Sequence, residues 1–408
     1  MRVLITGMFT QAALFAVRRF AQMGCEIAAA DGHRLAFGMY SRYVSRRVKL
    51  PVLRSKPQKY AEAVLNELRR NRYDFYFPTF EEIFLLSRYR KQISELTDTV
   101  LPSPYEILSL HDKSRLNETA VSAGVDAPKT FAPGSLADAK AIAEGVDFPV
   151  VLKLRQTCNS GGLVFVENPA DIAREYIRLV GRHDVPENAL PIIQQWVRGP
   201  LICTLELAQR GAIKGQVLCQ GIRTVPRVGG TTVARQSVRH ELCEEASRKV
   251  IGHLGFSGFI GFDYIVDDAS GKVYLIDCNP RCSVNIHLAA RGGCDMISSW
   301  IDIAAGREAA AQPAAREAVK TKTHFADAIW LAGTFFKGPE NRGERALMRR
   351  NWFGDNGYFY DIMDKKDWRP TLLLCAFLLY QTPKLFYSGV EPGQLFLYYN
   401  QYPDIHSH

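Results

Sequence analysis

Short apolar runs alternate with amphipathic stretches through the first hundred residues. Arg2-Val3-Leu4-Ile5-Thr6-Gly7 reads as a buried strand and turn, Ala12 to Met23 has helical periodicity, and Glu26 to Asp31 returns to a short apolar run. Tyr73 to Thr79 is a later strand of the same kind. This order predicts half of a doubly wound, Rossmann-like α/β domain, whose ligands bind beyond the carboxyl ends of the strands. Glu81 and Glu82 start the next helix, either to meet a substrate amine there or simply to answer the helix dipole. Gly7 is followed by Met8-Phe9-Thr10-Gln11 without a second or third glycine, so the dinucleotide fingerprint is absent and NAD is not expected, despite Asp31 at the end of the second strand.

The texture changes at His111. Lys113 starts a helix towards Ala123, Ser135 caps a short helix from Leu136 to Ala143, and Phe148 to Leu154 is a strand with one central lysine, Lys153. The small residues Asn159-Ser160-Gly161-Gly162 then separate it from the strand Leu163 to Val166. Such a loop wraps phosphate oxygens with Lys153 aimed at the same charge, or is a tight hairpin beside a surface lysine. Pro191 to Gly199 is another strand whose end, Gln195-Trp196-Val197, supplies either an adenine edge or, through Trp196, core. Arg227-Val228-Gly229-Gly230 makes a mobile cover or an anion contact ahead of Arg235, and residues 241 to 254 form a helix.

Gly261 to Val266 and Lys272 to Arg281 flank a polar turn, which predicts an antiparallel hairpin. With the turn near Ser270, Asp263 falls opposite Asp277, and alternation puts Asn279 and Arg281 on the same face. Two carboxylates facing across a ladder repel unless something positive lies between them, and oxygen donors without His or Cys favour a hard ion such as Mg²⁺ held jointly with nucleotide phosphates. The alternative is a solvated hairpin whose acids face water. Beyond Gly306 the pattern is irregular: Ala309 to Ala315 reads as a connector, and the aromatic-rich end offers no motif tied to chemistry.

Composition narrows the classes. The 408 residues, 47% hydrophobic, suffice for two or three globular domains. The run Leu372 to Tyr380 is roughly half of a membrane span and reads as a buried helix or an interaction face. Met1 leads straight into a strand without a secretory pattern, so a cytoplasmic address is expected, with the nine cysteines, scattered and without CxxC spacing, reduced. The net charge of +9 comes with only short basic clusters, Arg42/Arg46/Arg47/Lys49 and Arg349/Arg350. It suits a lining for an anionic nucleotide and an acidic substrate; nucleic acid is not an expected partner.

In order, Lys113, Lys153, the Asn159-to-Gly162 loop, the Gln195-to-Val197 segment, Asp263 and Asp277-Cys278-Asn279-Pro280-Arg281 resemble the ATP-grasp superfamily over residues 1 to about 305, in the branch of carbamoyl-phosphate synthetase, biotin carboxylase and amino-acid ligases. The resemblance implies an α/β and α+β architecture: a pre-ATP-grasp domain (1–110), a lid (111–198), a large subdomain with the metal site (199–306) and a C-terminal extension (307–408). It also implies that Lys113 and Lys153 contact ATP phosphates, that Ser160, Gly161 and Gly162 close over them, and that Gln195, Trp196 and Val197 edge the adenine. Asp263, Asp277 and Asn279 would hold Mg²⁺ or Mn²⁺, while Arg281 and Arg235, with Lys153, would steady the reacting groups. Many relatives carry a Glu soon after the hinge glycine for the ribose; here Pro200-Leu201-Ile202 follow Gly199, and Glu206 is the first acid available.

The implied reaction is ATP-dependent carboxylate–amine ligation through an acyl-phosphate, on small metabolites or amino acids. Alternatives are an ATP-grasp kinase or carboxyphosphate-forming enzyme, or a non-catalytic nucleotide-binding protein. No transmembrane segment is expected, and a homodimer is compatible with the pattern.

Overall fold

A computed structural model of the chain describes residues 1–156, 162–183, 185–225, 231–336, 342–354 and 357–377. The N-terminal sheet comprises β1 (Arg2–Thr6), β2 (Glu26–Asp31), β3 (Val44–Lys49) and β4 (Phe75–Phe77), all parallel in the order β3-β2-β1-β4. Its central strands read as continuous apolar runs because both faces are covered. Val3, Ile5, Ile27 and Ala29 pack with the helix Gln11–Gln22, whereas Leu4, Ala28 and Ala30 pack with the helix Pro57–Arg70. Thr10 caps the first helix by accepting from the Ala13 N–H at 3.2 Å, which points its open end at the strand ends.

The lid is a small antiparallel sheet, β5 (Thr130–Phe131), β6 (Val150–Lys153), β7 (Leu163–Val166) and β8 (Ile192–Gln195), ordered β5-β8-β6-β7. Its core runs from Ala139 to Ile193. The helix Lys113–Ser122 buries Leu116 and Ala120 in one core with Phe262 and Leu275 of the large sheet. Lid and large unit meet at Gly199, whose φ of +151° and whose Cα, where a Cβ would lie 1.8 Å from the Val266 carbonyl oxygen, admit only glycine.

The large sheet has seven strands, β9 (Leu201–Gln209), β10 (Ala212–Val225), β11 (Thr231–Val238), β12 (Gly258–Val266), β13 (Val273–Asn279), β14 (Lys320–Lys322) and β15 (Tyr358–Tyr360), in the order β13-β12-β9-β10-β11-β14-β15. The helix Glu241–Leu254, as the periodicity predicts, covers one face. The described residues beyond 306 continue the large sheet. They add β14 and β15 to this sheet, and Asp367 ties them to the N-terminal domain by accepting from Arg18 Nε (3.0 Å), Ser41 Oγ (2.8 Å) and the Arg42 N–H (2.8 Å). The helical stretch 369–377 buries Leu374 and Phe377 in the core. Trp300 joins the N-terminal and large units, its ring 4.6 Å from Phe77 and 6.2 Å from Phe20. Truncation of so buried a ring costs about 3–5 kcal/mol. Among the described residues no helix is long and apolar enough to cross a membrane, and the described cysteines are free.

Candidate active site

A cavity of about 690 Å³ lies where the three units meet. One wall is the β12–β13 hairpin, in which Asp263 pairs across the ladder with Asp277. The register shifts just after Asp263, and Asn279 ends β13 on the same face as Asp277. The positive charge that such a pair requires comes from the protein itself: Lys113 Nζ lies 3.1 Å from Asp277 Oδ1, and Lys153 lines the same cavity.

Each lysine is held from behind. Asp112 caps the helix that begins at Lys113, accepting from the Ser114 N–H at 3.0 Å, and its carboxylate also receives Arg155 Nε (3.1 Å) and Gln156 Nε2 (3.2 Å). Burial works against its ionised form, but the hydrogen bonds from Arg155 and Ser114 prevail and hold the carboxyl well below its usual range. The Lys113 N–H bonds the Arg155 carbonyl at 3.0 Å, so the clamp links the end of β6 to the helix carrying Lys113. Lys153 Nζ donates to Gln194 Oε1 at 2.7 Å, and Gln194 Nε2 donates in turn to Thr130 Oγ1 at 2.8 Å. Burial pulls Lys153 down to about 8, with Asp277 opposing and Lys113 adding to the shift. Burial first, then Asp277, pushes Asp263 up to about 6.

Asn279 Oδ1 accepts from Arg281 Nη2 at 3.1 Å, and the Arg281 guanidinium stacks 4.5 Å from the centroid of Phe80, which follows β4. The N-terminal domain thus supplies the plate on which Arg281 rests. Gln195, Trp196 and Val197 line the cavity near Gly199. The Gln195 N–H is taken by the Lys129 carbonyl (2.9 Å) and the Trp196 N–H reaches Pro149 (3.4 Å), which leaves the Val197 N–H without a protein partner among the described residues. The Trp196 ring centroid is 5.3 Å from that of Phe165 and 4.6 Å from the Arg198 guanidinium. Gly162 lines the cavity, whereas Ser160, Gly161 and the Gly229-Gly230 loop lie outside the described residues.

Two expected residues stand elsewhere. Glu206 cannot reach a ribose: it is fully buried on the opposite face of β9, towards the helix Glu241–Leu254, where it accepts from Thr204 Oγ1 (2.7 Å) and Gln216 Nε2 (3.1 Å). Its polarity suggested a ligand, but strand alternation turns it with Ile202 and Ala208 away from the cavity. Arg235 does line the cavity, but from β11, three strands from β12, with Nη2 held by Asp361 at 2.7 Å. Glu81 and Glu82 are buried outside this cavity.

The donor set fits a hard divalent cation. Among the described residues no three His, Cys, Asp or Glu side chains converge, so the set is two carboxylates and an amide oxygen, and Mg²⁺ characteristically completes so small a set with nucleotide phosphates and water. Sequence reasoning missed Gln194, the Asp112–Arg155 clamp and Phe80. The acid directly before Lys113 and the second glutamine beside Gln195 were local signals for the first two; nothing local marks Phe80.

Residues 110–284 match the ATP-grasp domain family model. The C-terminal section of the carbamoyl phosphate synthase large chain of Methanopyrus kandleri is 23% identical over 190 residues, 44% of this chain and 34% of that relative, so the chain spans about a third of the relative's length. Two solved structures share the fold. A biotin carboxylase from Campylobacter jejuni in a β,γ-ATP complex has a TM-score of 0.65 at 18% identity, covering 78% of this chain and 74% of its own. An L-amino acid ligase from Bacillus licheniformis has a TM-score of 0.58 at 14% identity, covering 74% and 73%.

Proposed function

We propose that this chain is an ATP-dependent ligase of the ATP-grasp type that joins a carboxylate to an amine through an acyl-phosphate, with Mg²⁺ or Mn²⁺ as the metal. The observation that carries the reading is the convergence of Lys113, Lys153, Asp263, Asp277, Asn279 and Arg281 on one cavity where three units meet. The names of the relatives, which include an ATP complex and an amino acid ligase, support it.

In this reading the triphosphate lies between the two lysines and the acidic hairpin, with the adenine along Gln195 to Val197. Asp263, Asp277 and Asn279 would hold the metal, which when bound neutralises phosphoryl oxygens. A carboxylate oxygen attacks the γ-phosphorus and the bond to ADP breaks. The amine nitrogen then attacks the acyl carbon, the carbon–oxygen bond to phosphate breaks, and the amine proton passes to solvent. Lys153 and Arg281 contribute fixed positive charge where phosphoryl oxygens gather negative charge. Gln194 keeps the Lys153 ammonium aimed, and Phe80 fixes the plane of Arg281. The lid and N-terminal domain exclude water, which would otherwise hydrolyse the acyl-phosphate.

The test is phosphate release over paired carboxylates and amines, with mass spectrometry of products. Release that needs both partners supports ligation. The kinship with carbamoyl phosphate synthase and biotin carboxylase calls for a bicarbonate arm. Release that depends on bicarbonate alone replaces ligation by carboxyphosphate formation, and nucleotide binding without turnover across the panel leaves a binding protein.

A further inference from the structure

Arg235 is the least explained charge in the cavity wall. It is 1% exposed, and although Nη2 is paired with Asp361, its Nε and Nη1 have no partner among the described residues. A buried guanidinium with spare donors on a cavity wall is a site for an anionic oxygen, because a charged donor without a partner has lost its hydration and gained nothing in return. The backbone of Arg235 is set apart from the acidic hairpin. Between β12 and β11 lie β9 and β10, and three strand spacings of about 4.8 Å put the Cα of Arg235 on the order of 14 Å from that of Asp263.

The surroundings of Arg235 differ from those of the acidic hairpin. Phe9 and Phe37 of the N-terminal domain, and Phe325, Ile329, Ile362 and Leu374 from beyond residue 306, all line the cavity. Phe9 and Phe37 have ring centroids 5.7 Å apart, and with Ile362 and Leu374 they belong to one apolar cluster against which Phe325 packs. Ile362 adjoins Asp361, the partner of Arg235, and Thr323 Oγ1 donates to the same Asp361 oxygen at 2.7 Å. One guanidinium therefore shares the cavity with an aromatic and aliphatic wall built largely by the C-terminal segment.

The geometry points to an acceptor amine that carries its own carboxylate beside an apolar side group, an apolar α-amino acid in chemical class, with that carboxylate on Arg235 and the side group against the wall. This rests on the ligase reading and deepens it: the acceptor's carboxylate stays unreacted while its amine reaches towards Arg281. Arg235 is thereby a specificity residue for the acceptor rather than a group acting on the acyl-phosphate.

Calorimetric titration of the full chain in the presence of MgADP tests this without turnover, using leucine, phenylalanine, leucinamide and serine as probes. Leucine or phenylalanine binding at least tenfold tighter than leucinamide and serine is the expected result. The double variant Arg235→Gln/Asp361→Asn, which removes both charges of the buried pair together, loses the preference for leucine over leucinamide. Ala326→Phe, which fills the apolar end from the helix His324–Phe336, weakens phenylalanine at least tenfold, and both variants keep the wild-type affinity for MgADP. Leucinamide binding as tightly as leucine, or a double variant that keeps the preference, overturns the inference. If MgADP binds and no amino acid does, the acceptor assignment falls while the ligase reading stands. If MgADP itself fails to bind the wild-type chain, both fall.

Discussion

Two pairs of acids differ in what faces them: Asp31 with Glu82, both buried, and Asp263 with Asp277, both half-buried. In the N-terminal domain Asp31 ends β2, and Glu82 begins the short helix Glu82–Leu86 that follows β4. Both border a void of about 10 Å³, room for one water. Their partners are neutral: the His33 N–H reaches Asp31 Oδ1 at 2.7 Å, and Thr6 Oγ1 and the Thr79 N–H reach Glu82 Oε1 at 2.8 and 2.9 Å. Burial pushes Asp31 up to about 7 and raises Glu82 as well. Asp263, raised to about 6, is displaced by a similar amount. A perturbed carboxyl therefore does not separate a site from a structural acid here. Two lysines and an open cavity beside one pair, against hydroxyls, amides and a water-sized void beside the other, do.

The sharpest way to break this contrast is to remove the acids that face the cavity. Asp277→Ala and Asn279→Ala are each expected to lower ADP-forming turnover by at least about a thousandfold while circular dichroism shows the fold retained. Normal turnover in either would put the hairpin in the same class as the Asp31 pair. Next in size, Lys153→Met should reduce kcat/KM for ATP by about a hundredfold, equivalent to about 2.7 kcal/mol of transition-state stabilisation. Arg155→Met acts only through the clamp on Asp112 and Lys113, so KM for ATP should rise about tenfold with kcat nearly unchanged; an equal fall in kcat would mean that Arg155 touches the reacting groups.

At the other end of the scale, Asp31→Asn should leave turnover unchanged and alter stability alone. The folded-state value of Asp31 is raised from 3.8 to about 7, so its contribution is fully present below the unfolded value and is lost as pH rises between the two, by about 4 kcal/mol at the upper bound. Urea unfolding at pH 5 and pH 8 should show that loss in the wild type and a flatter profile in the variant. Smallest of all, Glu206→Gln should leave the affinity for ADP unchanged in equilibrium binding, because Glu206 faces a helix and not the nucleotide; a tenfold weakening would return it to the ribose.

Features set by neighbours along the chain or across one hairpin were legible in the sequence. The pairing of Asp263 with Asp277 follows from a turn position and a two-residue period, and the helix at Lys113 and its strand counterpart at Lys153 follow from local patterning. Glu206 shows the limit of that logic, since an acid in a strand can face either side and only the packed helix Glu241–Leu254 tells which. The segment beyond residue 306 shows another. Three-residue strands such as β14 and β15 carry too few positions for a period to register; β14 forms on the edge that β11 offers, and β15 on the edge of β14.

The sequence by itself determined the order of the units, the acidic hairpin and the two lysines, because each is written in local periodicity and in residue types that bury poorly without a partner. Only the tertiary structure decided that Phe80 backs Arg281, that Gln194 aims Lys153, and that Asp361 and the apolar wall beyond residue 306 close the far end of the cavity. Those contacts join residues tens to hundreds of positions apart, and their geometry is set by how sheets and helices pack against one another, a quantity that no local pattern encodes.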